Sequence, residues 1–109
     1  MTLQEQLKKL YVPFTEIDDC DVMHFLRVGS PPYIVWAEDG EMTSFHADNH
    51  KGEQQLTGTV DLFTKTEFDP IADEIQKILN EEEVGWRLDS VQYEPETNLI
   101  HYSWRWYVG

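Results

Sequence analysis

Residues 86–108 read "WRLDSVQYEPETNLIHYSWRWYV". In the middle, "PETN" (95–98) forms a turn, because Pro95 presets its own φ and Asn98 tolerates tight backbone. The runs on either side, 86–94 and 99–108, are rich in aromatic and β-branched residues and read as strands. The chain therefore closes on a β-hairpin. In its second strand Ile100, Tyr102, Trp104 and Trp106 share one face, while Leu99, His101, Ser103, Arg105 and Tyr107 share the other. The aromatic row is either core or interface. A hairpin of this kind needs further strands beside it and a layer above it, and the rest of the sequence offers both.

Working back from the hairpin, "FDPIADEIQKILNEEE" is the clearest helix. Asp69 suits the N-cap, and Pro70 suits the first helical position, where its missing N–H is no loss. Ile71, Ile75, Ile78 and Leu79 form the apolar stripe. Asp73 and Glu74 favour the positive helix start, whereas Glu81, Glu82 and Glu83 oppose the negative end, so the helix is expected to stop near Asn80 with that acidic run exposed. Before it, "QQLTGTVDLFTK" (54–65) alternates. Leu56, Gly58, Val60 and Leu62 point one way, and Gln55, Thr57, Thr59 and Asp61 the other, with Phe63 on the polar row awaiting a neighbour to cover it. "YIVWAE" (33–38), between the break "GSPP" and the turn signal "EDGE", gives a strand over 32–38. Residues 14–31 are the least regular, with Phe25, Leu26 and Val28 suggesting a strand. At the start, "TLQEQLKKL" places Leu3, Leu7 and Leu10 at helical spacing, with Thr2 and Glu5 as a capping box, and the helix is expected to end near Tyr11, before Pro13. These elements make one α+β domain over 1–109: a mainly antiparallel sheet of about four or five strands with two helices on one face.

The chain has 109 residues, a length that suits one modest core, and 13% aromatic residues to fill it. No apolar run approaches a membrane span, and the first residues do not read as a signal peptide. Cys20 is the only cysteine, so no internal disulfide forms, and a reducing cytosol is the natural setting. Twenty-one acidic residues against eight basic ones give a net charge of −13. Such a surface repels phosphate backbones. It suits a basic partner, a wall past which DNA slides without adhering, or solubility alone.

Few residues suggest chemistry. In "FHADNHKG" (45–52), His46, Asp48 and His50 are spaced to share a strand face and chelate zinc, but the segment is rich in turn formers and reads as a polar loop. Cys20 and His24 are four apart, yet Glu16, Asp18, Asp19 and Asp21 would raise the thiol pKa and oppose a reactive thiolate. Carboxylate pairs arise by number alone. The aromatic row lacks the basic groove that base stacking requires. The sequence thus marks no catalytic set and no cofactor.

The order of elements resembles the small proteins encoded in tail-assembly modules of long-tailed bacteriophages and prophages. The resemblance runs over nearly the whole chain and is carried by the helix "TLQEQLKKL" (2–10), "PPYIVW" (31–36), the loop "FHADN" (45–49), "LTGTVDLFTKTEFDP" (56–70), the helix "IADEIQKIL" (71–79) and the ending "LIHYSWRWYV" (99–108). It points to tail-completion or tail-terminator proteins, or similar minor tail and head–tail joining proteins. It implies a homo-oligomeric ring, commonly hexameric, that caps the tail tube and meets the major tail protein and the head–tail connector. It implies no catalytic residue, cofactor or metal, no sequence-specific nucleic-acid binding and no membrane. The setting would be the bacterial cytoplasm during assembly and then the virion tail. The interface candidates are Phe45, His46, Asp48, Asn49 and His50 in the long loop 39–53, together with Glu81, Glu82 and Glu83. Two other readings are an acidic binding module (an inhibitor or DNA mimic of a basic protein) and a small metal-dependent enzyme built on His46, Asp48 and His50.

Overall fold

The computed structural model describes residues 2–27, 29–41 and 55–108. In chain order they form α1 (Leu3–Thr15), β1 (Asp21–His24), β2 (Tyr33–Glu41), β3 (Leu56–Thr64), α2 (Pro70–Glu81), β4 (Gly85–Glu94) and β5 (Leu99–Val108). The strands make one sheet in the order β1-β2-β3-β5-β4. All neighbours are antiparallel except β1, which runs parallel to β2. The α+β architecture is the one the sequence implies, with a parallel strand added at one edge.

Three boundaries differ from expectation. β2 does not end at Glu38 but runs through the expected turn "EDGE" to Glu41, because a register shift between Glu38 and Gly40 lets Gly40 and Glu41 go on pairing with Thr57 and Leu56. Helix α1 does not stop at Tyr11 but continues through Pro13 to Thr15. Pro13 lies in the last turn, where one lost hydrogen bond is offset by burial: Leu7, Leu10 and Phe14 form a continuous buried stripe that needs the extra turn. The strand suggested by Phe25, Leu26 and Val28 lies earlier, at Asp21–His24. Phe25 has φ 70°, which ends the strand; Phe25 and Leu26 are exposed, and Val28 lies outside the described residues. Eight residues suffice for the parallel return from β1 to β2 because β1 is so short.

The core follows the period-two rows. Ile34 and Trp36 of β2, Val60 and Leu62 of β3, and Trp104 and Trp106 of β5 face the helices and meet Leu7, Leu10, Phe14, Ile75 and Leu79. The aromatic row of β5 is therefore core at Trp104 and Trp106. Each indole N–H has a partner: Trp104 donates to Gln76 Oε1 at 3.1 Å, and Trp106 to the Thr59 carbonyl at 2.9 Å. Gly58 pairs with Trp106 across β3–β5, and a Cβ there would fall 2.1 Å from the Ala37 carbonyl oxygen and 2.4 Å from the Trp106 ring. Only glycine lets the strands and the indole close over this point.

Helix α2 starts as its sequence dictates. Asp69 is buried, accepts from the Ile71 amide at 2.9 Å and from the Thr64 hydroxyl at 2.6 Å, and so ties the helix start to the end of β3. At the other end Glu83 takes a left-handed φ of 57°, with hydrogen bonds from Glu83 N to the Asn80 carbonyl and from Val84 N to the Leu79 carbonyl. This is the helix-closing motif that glycine normally serves.

Candidate functional site

Two helices cannot cover five strands. A packed helix is about 10 Å across and strands lie about 4.8 Å apart, so each helix roofs roughly two strands. The uncovered one is β4. Its register with β5 places Trp86, Leu88, Val91 and Tyr93 on the helix side of the sheet, opposite Trp106, Trp104, Tyr102 and Ile100. Trp86 is half-buried, held by its N–H to Asn80 Oδ1 at 2.9 Å. Beyond it Leu88, Val91 and Tyr93 are 45%, 51% and 59% exposed. β4 is also an edge strand, so its outer backbone groups pair with no other strand among the described residues. The result is an apolar ledge beside α2 with an open hydrogen-bonding edge. The ledge offers apolar side chains and open backbone hydrogen-bonding groups.

The opposite, helix-free face is charged and closed upon itself. All three arginines of the chain lie there, each beside a carboxylate: Arg27 with Glu94, Arg87 with Asp89 at 2.6 Å, and Arg105 with Asp39 at 2.7 Å. Phe63, on the polar row of β3, is buried beneath this layer, with Tyr33 and His101 stacked on its ring and the Arg27 guanidinium 4.0 Å from its centre. His101 turns one nitrogen toward Asp61 at 3.4 Å and the other toward Glu94 at 3.5 Å. The hydrogen bond from Arg27 holds the Glu94 carboxyl below the usual carboxylate range. Beside this network a cleft of about 480 Å³ opens between the hairpin turn and residues Arg27 and Tyr33. Arg27 and Glu94 pair with each other at its wall, and Glu96, Thr97 and Tyr93 also line it.

The residues singled out in sequence fare unequally. Phe45, His46, Asp48, Asn49 and His50 lie outside the described residues. Among the described residues no group of three or more His, Cys, Asp or Glu side chains is placed to hold a metal ion. Glu81 and Glu83 are exposed and Glu82 partly so, at the end of α2. Near them a groove of about 350 Å³ runs between the helices, floored by Pro13, Ile17 and Ile78 and walled by Glu16, Glu74, Glu81 and Glu82, with Lys77. Neither helix carries a basic residue in its last turn. The Cys20 thiol is pushed up to about 12, chiefly by burial and then by Asp69, Asp21 and Glu74. The direction is the expected one, but of the carboxylates responsible only Asp21 belongs to the adjacent acidic run; Asp69 caps α2 and Glu74 lies within it. His24 is drawn away from the thiol: it bonds Glu38 and stacks on Trp36, with ring centres 4.0 Å apart.

The ledge on β4 was not among the sequence candidates, although a signal exists. The large apolar positions are even-numbered at Trp86 and Leu88 and odd-numbered at Val91 and Tyr93. That change of parity is a bulge, and the register indeed slips between Leu88 and Ser90, leaving Asp89 as the extra residue.

No family model matches the sequence, and no curated protein matches it.

Proposed function

We propose that this protein works by contact, as a bacteriophage or prophage virion-assembly subunit of the tail-completion or tail-terminator kind. In this reading copies of the chain form a ring, hexameric as the resemblance implies, that caps the tail tube and contributes to head–tail joining. Its partners are the major tail protein and the head–tail connector, and it acts in the host cytoplasm before becoming part of the tail. The observation that carries the reading is the β4 ledge: three large apolar side chains beside a strand edge that pairs with no other strand among the described residues. The stretches that carry the resemblance fall on α1, β2, β3, α2 and β5, except "FHADN" (45–49), which lies outside the described residues. Co-expression with the major tail protein from the same gene cluster tests the proposal. The expected result is tubes of limited length with this chain at one end by electron microscopy. Tubes that elongate unchanged, with no bound chain, would exclude it.

The groove between α1 and α2 supports a second reading, an acidic module that binds a basic protein. Four carboxylates and two helix C-termini without basic residues favour a cationic partner. That interaction would weaken steeply as salt is raised.

A further inference from the structure

We infer that the partner seated on the β4 ledge, before any assembly, is a second copy of this chain, joined through β4 about a two-fold axis at Val91. The argument starts from the strand's own sequence. When two copies of β4 run antiparallel with Val91 facing Val91, Ser90 meets Gln92 of the other copy. Beyond the bulged Asp89, Leu88 meets Tyr93 and Arg87 meets Glu94, with the register counted as it is against β5. All three exposed apolar side chains of the ledge then pair with apolar partners on the helix side. The opposite face gains a cross-copy pair of opposite charge. Shifting the axis by one residue to Gln92 sets Leu88 against Pro95; shifting it to Ser90 sets Arg87 against Gln92. Only the Val91 register satisfies both faces.

Electrostatics and geometry agree with this register. Within one copy Arg87 lies beside Asp89 and Glu94 beside Arg27. The cross-copy contact joins these pairs into an alternating row, Asp89, Arg87, Glu94 and Arg27, twice per dimer. Because the axis is perpendicular to the sheet, both roofs lie on the same side. The two α2 helices then stand roughly 14 Å apart, three strand spacings, and wall the shared apolar strip from both sides. Each copy carries −13, so the long-range term opposes association and salt screens it. The dimer tightens as salt rises, whereas binding of a basic partner weakens. The contact is isologous and closes on itself, which removes the open edge.

The test uses the full chain in a Cys20→Ser background, where a new cysteine is the only thiol. Val91→Cys should oxidise to a disulfide-linked dimer, since directly opposed antiparallel residues have Cα atoms about 4.5–5.5 Å apart, within the span of about 4.4–6.8 Å that a disulfide bridges. Ser90→Cys or Gln92→Cys alone should not, but a mixture of the two should. Arg87→Glu and Glu94→Arg should each raise the dimer dissociation constant by about tenfold, and an equimolar mixture should restore it because both cross-copy pairs reform. Sedimentation showing only monomer up to the solubility limit would overturn the inference, as would cross-linking at Gln92 in preference to Val91. If Glu94→Arg fails to fold by circular dichroism, the cysteine pattern decides. The inference and the tail reading draw on the same ledge, but their tests separate: a monomer leaves the tube-capping assay untouched, and a dimer does not predict capping.

Discussion

Replacing Gly58 with alanine sets two physical effects against each other with opposite signs. Gly58 has no positive φ, so backbone entropy alone favours alanine by about 0.4–1 kcal/mol through the unfolded state. Sterics oppose it. The new methyl would sit 2.1 Å from the Ala37 carbonyl oxygen, 2.4 Å from the Trp106 ring and 2.8 Å from Glu38 Cα. Two of these three contacts are backbone of the paired strand β2, so no rotamer change relieves them. The β2–β3 ladder must open by about 1 Å or the Trp106 ring must leave its place, and overpacking of this kind costs about 1–3 kcal/mol. Displacing the indole also weakens its bond to the Thr59 carbonyl, a further loss of about 1 kcal/mol. The net expectation is a destabilisation of about 2–3 kcal/mol, a large part of the 5–15 kcal/mol typical of a domain. Urea unfolding followed by tryptophan fluorescence should show the midpoint falling by about 1–2 M, given a slope near that of other small proteins. Combining Gly58→Ala with Trp106→Leu should recover no stability relative to Trp106→Leu alone, because the clash with the Ala37 carbonyl persists. A Gly58→Ala protein as stable as the parent would refute the packing argument at its centre.

Three further outcomes follow from local chemistry. Asp69→Ala removes the α2 cap and strands the buried Thr64 hydroxyl, so it should lower stability by about 2 kcal/mol in thermal melts, while Asp69→Asn should lose clearly less. Glu83→Gly should raise stability by about 1 kcal/mol, because it relieves a left-handed residue and removes a negative charge at a helix C-terminus; an unchanged melt would count against that backbone assignment. Cys20 should react with a disulfide reagent at pH 8 far more slowly than in the unfolded chain, as its pKa is pushed up to about 12 from 9.0. The sign of the linkage follows: the folded thiol holds its proton more tightly, so its contribution is complete below pH 9 and is lost as pH rises toward 12, and Cys20→Ser should flatten that part of the pH profile.

Local chemistry was legible in the sequence wherever the signal was itself local. The capping box Thr2–Glu5, the Asp69–Pro70 start of α2 and the alternation of β3 depend on residues a few positions apart, and each stands where the sequence puts it. Pro13 misled because a helix end is decided by the burial of Phe14, a tertiary fact that overrides a proline in the final turn. Arg27, Phe63, Glu94 and His101 converge only through the β2–β3–β5–β4 order, which no spacing encodes. The ledge shows most clearly how these levels meet. A bulge at Asp89 moves Val91 and Tyr93 onto the same side as Leu88. Without it, Val91 and Tyr93 would lie on the arginine-bearing face, and β4 would present no apolar side long enough to receive anything. The extra residue costs one rung of the ladder with β5, so its effect must be sought where the strand has no partner. Deleting Asp89 should restore regular pairing with β5 and keep Leu88, Val91 and Tyr93 on one side, so association through β4 should survive; loss of the dimer would show that the contact needs the bulge itself and not the apolar row.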